Sequence, residues 1–280
     1  GLAALAGLGY RPVEAENLRT SAGLFAGSDD QRLDAFHRLA ADPEVKAIVF
    51  ARGGYGVPRI LERVDWPLLA EHPRAYVGYS DLTPFLLGVV SRLGLVAFHG
   101  PMVAADLARG LGDDEQASFE AALAGHVEAE LTLAFCAGDA AAEGPLLGGC
   151  LSLLTATLGT PYAPDLDGAI LFVEDVDEPP YRLDRMLTHL RLSGNLQALA
   201  GLVAGHLTGG RPEGEAAGPS CDDLVREAAA GFAWPVAGGL CAGHACPNLT
   251  LPLGAWARLD PARTSLTLRA PAGVDSGSGL

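Results

Sequence analysis

The sequence predicts an α/β fold in two domains, and three observations lead there. Strand-like apolar runs alternate with helix-length amphipathic segments for most of the 280 residues, the pattern of βα units on a largely parallel sheet. Hydrophobic residues make up 49% of the chain, enough at this length to bury a large core without disulfide or metal support. Over residues 110–144 the pattern breaks into an acidic helix, a short β-like LTLAF and the small-residue run AGDAAAEGP. A domain boundary is expected there, between an N-terminal domain of residues 1–135 and a C-terminal domain of residues 143–280.

The elements follow in order. GLAALAGLGY reads as a helix stopped at Gly9 and leading into a strand over residues 10–14. Ser28 caps a helix with Asp29 and Asp30 in its first turn, where negative charge suits the helix dipole; Leu33, Phe36, Leu39 and Ala40 recur at helical spacing. The buried-type strand AIVFA, residues 47–51, runs into Arg52-Gly53-Gly54-Tyr55-Gly56 and a helix over residues 58–63. A strand over residues 75–79 precedes a helix opened by Ser80-Asp81 with Pro84 in its first turns, and a strand over residues 95–98 ends at His99-Gly100-Pro101. Beyond the boundary, GGCLSLLTATLG reads as a helix N-terminus lying on glycines and AILFVEDV as a strand. YRLDRMLTHLRLSG carries the strongest helical stripe, Leu183, Met186, Leu187 and Leu190, with Gly194 as its stop. LAGLVAGHL is a strand, SCDDLVREAAAGF a capped helix, and short β segments fall in GGLCAGH, LTLPLGAWARL and TSLTLRA.

Composition excludes several function classes. The formal charge is −15 and the 19 cations are scattered, which argues against a nucleic-acid partner. Lys46 is the single lysine and no G-x-x-x-x-G-K-[ST] loop exists, so P-loop phosphate binding is out. The glycines of residues 53–56 lack dinucleotide-binding spacing, and no apolar run reaches the ~20 residues that span a bilayer. Five irregularly spaced cysteines read as thiols of a reducing cytosol. Cys241-x-x-His244-x-Cys246 offers three ligand types, but no second ligand pair follows at zinc-site spacing, so no metal and no other cofactor is expected.

In open α/β sheets ligands bind beyond the carboxyl ends of strands. Four such ends carry reactive or backbone-exposing residues: Gly53-Gly54, Ser80-Asp81, Glu174-Asp175 and His244. Ser80 stands between the strand AYVGY and the helix DLTPFLL, where backbone N–H groups and the helix dipole can hold a developing oxyanion. That is the logic of a nucleophile elbow in the sequence G-Y-S-D, and the same serine would equally serve as an N-cap. A serine nucleophile needs a base. His37, His126 and His189 lie within helical patterns and His72 in a Pro-flanked loop, whereas His99, His206 and His244 each follow a strand and rank equally. Glu174, the first acid after AILFV, is placed to orient such an imidazole or to belong to a solvated acidic turn. R-G-G-Y-G supplies a tight turn with unobstructed N–H groups, suited to an oxyanion or a carboxylate.

Six blocks then occur in order: R-G-G-Y-G at 52–56, V-G-Y-S-D-L-T at 77–83, F-H-G-P at 98–101, L-G-G-C-L-S-L-L followed by G-T-P at 147–161, I-L-F-V-E-D-V-D-E-P-P-Y-R-L-D-R-M-L at 170–187, and G-H-A-C-P-N-L-T-L-P-L-G at 243–254. Together they resemble, nearly end to end, the L,D-carboxypeptidase family of serine peptidases that remove the terminal D-alanine from murein tetrapeptides, with the microcin C immunity hydrolases. The resemblance implies Ser80 as nucleophile, Glu174 as orienting acid and His244 as base, with the backbone N–H groups of Asp81 and Gly54 as oxyanion donors. It implies a Rossmann-like N-terminal domain and a smaller C-terminal α/β domain, the triad meeting across their junction, in a cytoplasmic, metal-free homodimer. Relatives begin with a further strand and a Pro-Ser loop, so this chain is expected to be short of its first strand. They often carry Asn where this chain has Cys150, which alters any polar contact made there.

The expected function is a carboxypeptidase of peptidoglycan recycling acting on a murein tetrapeptide, with no nucleic acid or membrane partner. An immunity hydrolase of the same fold is the alternative, and a non-catalytic small-molecule binding domain the alternative of another class. Because a net charge of −15 opposes an anionic peptide, a local positive focus is expected at the site. Arg52, beside Gly53 and with Cys150, is the expected substrate-binding group.

Overall fold

The computed structural model describes residues 1–209 and 218–270. Its helices are α1 Leu2–Gly7, α2 Asp29–Ala41, α3 Val57–Ile60, α4 Trp66–Glu71, α5 Thr83–Leu93, α6 Asp106–Arg109, α7 Asp113–Leu123, α8 Leu151–Thr157, α9 Pro180–Leu192 and α10 Cys221–Ala229. Its strands are β1 Ala47–Val49, β2 Ala75–Gly78, β3 Ala97–His99, β4 Ala129–Thr132, β5 Phe135–Ala137, β6 Ala142–Cys150, β7 Ile170–Asp175, β8 Gly201–Leu207, β9 Val236–Gly238, β10 Leu251–Leu253, β11 Trp256–Asp260 and β12 Ser265–Arg269. They form the mixed α/β architecture that the alternation of apolar runs predicts.

One sheet has the order β1-β2-β3-β10: the first three strands are parallel and β10 runs antiparallel to β3. The other has eight strands ordered β4-β12-β11-β6-β7-β8-β9-β5. Within it β6 to β9 are parallel and the flanking pairs antiparallel. All six residues of β7 are buried, as expected of a central parallel strand covered on both faces. The chain crosses between the sheets late: β10 lies in the first and β11 in the second, and Gly254 makes the switch at φ +89°.

Helix α5 joins the two halves. Every residue from Thr83 to Val89 is buried. Phe85, Leu86 and Val89 pack into one core, and Leu87 into a second core with Leu151, Leu154 and Leu171. A helix apolar all round is what an interior position demands. Gly88 admits the Trp66 ring, which a Cβ would meet at 2.5 Å.

One local expectation is corrected. Residues 10–14 form no strand: they are exposed, pair with no strand among the described residues, and include Pro12, which has no N–H to give a ladder. The glycines expected beneath a helix N-terminus close β6, Gly148 and Gly149 at φ +134° and +137°, and α8 starts directly from the strand. The short β segments expected in LTLPLGAWARL are β10 and β11, parted by Gly254. Among the described residues no helix is long and apolar enough to cross a membrane.

Candidate active site

The site begins at the end of β2. Tyr79 is extended, and Ser80 then takes φ +64° before the chain enters a 3-10 turn, Ser80–Leu82, and α5. That left-handed conformation costs a side-chain-bearing residue about 1–2 kcal/mol, and such strain concentrates where a fold over-determines a functional group. The over-determination comes from the glycine turn. A Cβ on Gly53 would lie 2.8 Å from Ser80 Cβ, 3.1 Å from its Oγ and 3.4 Å from the Asp81 nitrogen, so Gly53 lies directly against the serine. Gly54 follows at φ +111°. The Asp81 carboxylate turns away, accepting the Val57 N–H at 2.8 Å and tying the start of α3 to the serine turn. Burial pushes its carboxyl above the ordinary range.

On the facing side, Glu174 lies near the end of β7 with no exposed surface. Its Oε2 is 2.7 Å from His244 Nδ1. Burial lowers the imidazole's pKa, but the hydrogen bond and charge of Glu174 outweigh it, and His244 titrates above its ordinary value. Burial raises the Glu174 carboxyl, with partial relief from His244. Gly243, at φ +118°, brings the backbone so close that a Cβ would meet Glu174 Oε2 at 2.6 Å. Gly243→Ala is therefore expected to destabilise the protein by about 1–3 kcal/mol through strain and overpacking. Denaturant unfolding measures the loss, and wild-type stability would contradict the crowding.

The junction brings these halves together through α5. Thr83 Oγ1 accepts the Cys150 N–H at 3.1 Å, and Gly149 leaves room for the Thr83 side chain. Cys150 in turn stands opposite Glu174 in the β6–β7 register. The Tyr79 ring meets the His244 ring at a tilt of 72° with centroids 4.8 Å apart, so the imidazole packs against the residue immediately before Ser80. Burial raises the pKa of the Tyr79 phenol, and the nearby Asp106 carboxylate adds to the rise.

The three strand-following histidines separate by environment. His99 is wholly buried between Tyr79 and Phe172, both ring nitrogens without a partner among the described residues, and burial, with His244 nearby, pushes its pKa down to about 3. His206 places Nε2 2.8 Å from the Pro247 carbonyl oxygen. Among the described residues, His244 alone of the three meets a carboxylate.

Cys150 is buried, its thiol 3.5 Å from Asp175 Oδ1 and 3.2 Å from Ser152 Oγ. Burial pushes that thiol well up, so it carries no thiolate character. Arg52 is exposed and, among the described residues, forms no ion pair. Cys241, half-buried, and Cys246, exposed, flank His244. Among the described residues no group of three or more His, Cys, Asp or Glu is disposed to hold a metal ion.

Sequence reasoning missed Tyr79, Thr83 and Asp106 as parts of this site, and Asn248, whose Oδ1 accepts the N–H of Gly243 beside His244 at 2.9 Å. Tyr79 and Thr83 lie inside the V-G-Y-S-D-L-T block and Asn248 inside G-H-A-C-P-N-L, so their blocks were in view although their partners were not. Nothing local singles out Asp106.

Residues 1–100 match the LD-carboxypeptidase N-terminal domain and residues 143–259 the LD-carboxypeptidase C-terminal domain. The chain is 35% identical to a probable murein peptide carboxypeptidase of Bacillus subtilis, over 97% of this chain and 86% of that protein. It is 26% identical to the microcin C7 self-immunity protein MccF of Escherichia coli, over 84% of this chain and 77% of that one. The crystal structure of muramoyltetrapeptide carboxypeptidase from Oxalobacter formigenes superposes with a TM-score of 0.86 at 32% identity, covering 96% of this chain and 94% of that one. With both domains matched, and the serine turn and the Glu174–His244 pair falling one in each of them, the chain belongs to the LD-carboxypeptidase family.

Proposed function

We propose that the protein is a serine carboxypeptidase that removes the terminal D-alanine from murein tetrapeptides, with Ser80, Glu174 and His244 as its triad. The observation that carries this reading is the 2.7 Å His244–Glu174 contact, set against the residue next to a serine held at φ +64°. With Nδ1 engaged by Glu174, Nε2 is left to take the Ser80 proton. The serine oxygen attacks the carbonyl of the L-centre of the diamino acid. The N–H groups of Asp81 and Gly54 hold the oxyanion, which suits the first amide of a helical turn and a glycine peptide beside the nucleophile. His244 returns the proton to the amine of the departing D-alanine. Water, giving its proton to His244, then cleaves the acyl-enzyme.

Arg52 completes the reading as the cation for the substrate carboxylate, a local attraction within a chain of net charge −15. Gly53 lines the same turn, and Cys150, opposite Glu174, belongs to the floor beneath the peptide. Arg52→Gln is expected to raise KM about tenfold with little change in kcat, the pattern of lost uniform binding. Steady-state kinetics of D-alanine release measures it, and an unchanged KM removes Arg52 from the site. A division near residues 135–143, a homodimer and a cytoplasmic setting belong to the same reading, and the five thiols suit a reducing compartment.

The test of the function itself is a direct assay. Purified protein should release D-alanine from a murein tetrapeptide faster than it cleaves an acyl-sulfamoyl adenylate. The reverse order would transfer it to the immunity hydrolases, and inertness toward both would leave a binding domain.

A further inference from the structure

His244 sits in a turn, residues 241–249, whose backbone closes through the Leu249 N–H on the Cys241 carbonyl at 2.8 Å. From outside, His206 reaches the Pro247 carbonyl. From inside, one side chain of the turn holds its own backbone: Asn248 Oδ1 accepts the N–H of Gly243 at 2.9 Å, immediately before the histidine. The Asn248 side chain is wholly buried, and among the described residues its Nδ2 has no partner. A buried amide with an unpartnered nitrogen costs stability, so a residue there merely to fill space would be better apolar. What the amide supplies is the oxygen.

Asn248 is itself anchored from a distant element. Its N–H donates to Glu115 Oε1 at 2.8 Å. Glu115, 2% exposed on α7, also accepts the Gly112 N–H at 2.8 Å and Arg109 Nη2 at 2.8 Å. Burial raises its carboxyl, and these three donors more than offset that, holding it below the usual range and ionised. The Gly243 peptide is thus fixed on one side by Asn248 and crowded on the other by Glu174. Little freedom remains in where the next residue, His244, places its ring.

We propose that Asn248 is the positioning residue of the base: its side-chain oxygen fixes the Gly243 peptide, and through it the His244 imidazole relative to Glu174 and Ser80, while Glu115 fixes Asn248. The inference rests on His244 being the base. It deepens that reading by assigning a role to a residue that contacts neither substrate nor the reacting atoms.

The test compares Asn248→Leu, similar in volume but without an acceptor, with Asn248→Asp, which keeps the accepting oxygen and puts a second carboxyl oxygen in place of the unpartnered nitrogen. On a murein tetrapeptide, Asn248→Leu is expected to lower kcat about 100-fold with KM within about threefold, the signature of a misplaced catalytic group. Asn248→Asp should recover at least about tenfold of that loss. In a His244→Ala background, Asn248→Leu should change the residual rate by less than about twofold, because a positioning residue has nothing left to position. Circular dichroism establishes that each variant is folded, and Asn248→Ala takes the leucine's place if that variant is not. Near-wild-type kcat in the variant lacking the acceptor overturns the inference, as does an equal loss with and without His244. If His244→Ala itself keeps wild-type turnover, the assignment of the base falls and this inference with it. A dead His244→Ala beside an unimpaired Asn248→Leu overturns the positioning role alone.

Discussion

Ser80→Ala is expected to lower kcat for D-alanine release by about 10⁵- to 10⁶-fold, the scale on which a serine nucleophile acts with its triad. The fold should survive, because the residue is only partly buried and the change removes a single hydroxyl. A second measurement separates the chemistry from the scaffold. At φ +64° a glycine is relieved of the left-handed penalty of about 1–2 kcal/mol, partly offset by the greater freedom it has when unfolded, which costs about 0.5–1 kcal/mol. Ser80→Gly should therefore be equally inactive yet at least as stable as wild type in denaturant unfolding. Retention of more than a few per cent of turnover by either variant would remove Ser80 as nucleophile. A glycine variant clearly less stable than wild type would contradict the strain argument.

Glu174→Gln should give the next largest loss, about 10³- to 10⁴-fold in kcat, since an amide in place of the carboxylate presents the wrong partner to Nδ1 and cannot stabilise the imidazolium. The pH profile provides the sharper reading. His244 acts as a base only when neutral, and Glu174 holds its pKa above the ordinary value near 6.5. The acid limb of kcat/KM in the wild type should therefore lie above pH 6.5, with activity lost as pH falls through it. Removing the carboxylate takes away the hydrogen bond and the charge that raise this pKa but leaves the burial that lowers it. The residual activity of Glu174→Gln should consequently persist to lower pH than that of wild type. The stability linkage has the corresponding sign. A raised imidazole pKa stabilises the fold fully below the unfolded value, and that contribution fades as pH rises through the folded one. An acid limb that stays in place in Glu174→Gln would show that the carboxylate does not control the base.

Much of this was legible in the chain. The AILFV run is a buried parallel strand because an apolar run of that length, bounded by turn residues, has few other places to go, whereas AIVFA yields only the three-residue edge strand β1 with Ile48 buried. The helix of residues 180–192 formed on its stripe, with Leu183, Leu187 and Leu190 buried. One reading failed: residues 10–14 had strand composition but found no neighbouring strand to pair with among the described residues, which was decided by what lay next to them in space.

The same division runs through the site. By itself the sequence determined the two domains' worth of βα units, the glycine turn at 53–56 and the serine between a strand and a helix, all set by contacts a few residues long. It also determined which acids and histidines stood at strand ends. What it could not do was choose among His99, His206 and His244, which share that local setting. Only the tertiary structure chose: one ring is desolvated between Tyr79 and Phe172, one is spent on a backbone carbonyl, and one lies 2.7 Å from Glu174. Those partners are 70 residues apart in the last case and 41 in the second. An imidazole's role depends on what shares its low-dielectric surroundings, and that is fixed by packing between elements, not by neighbours along the chain.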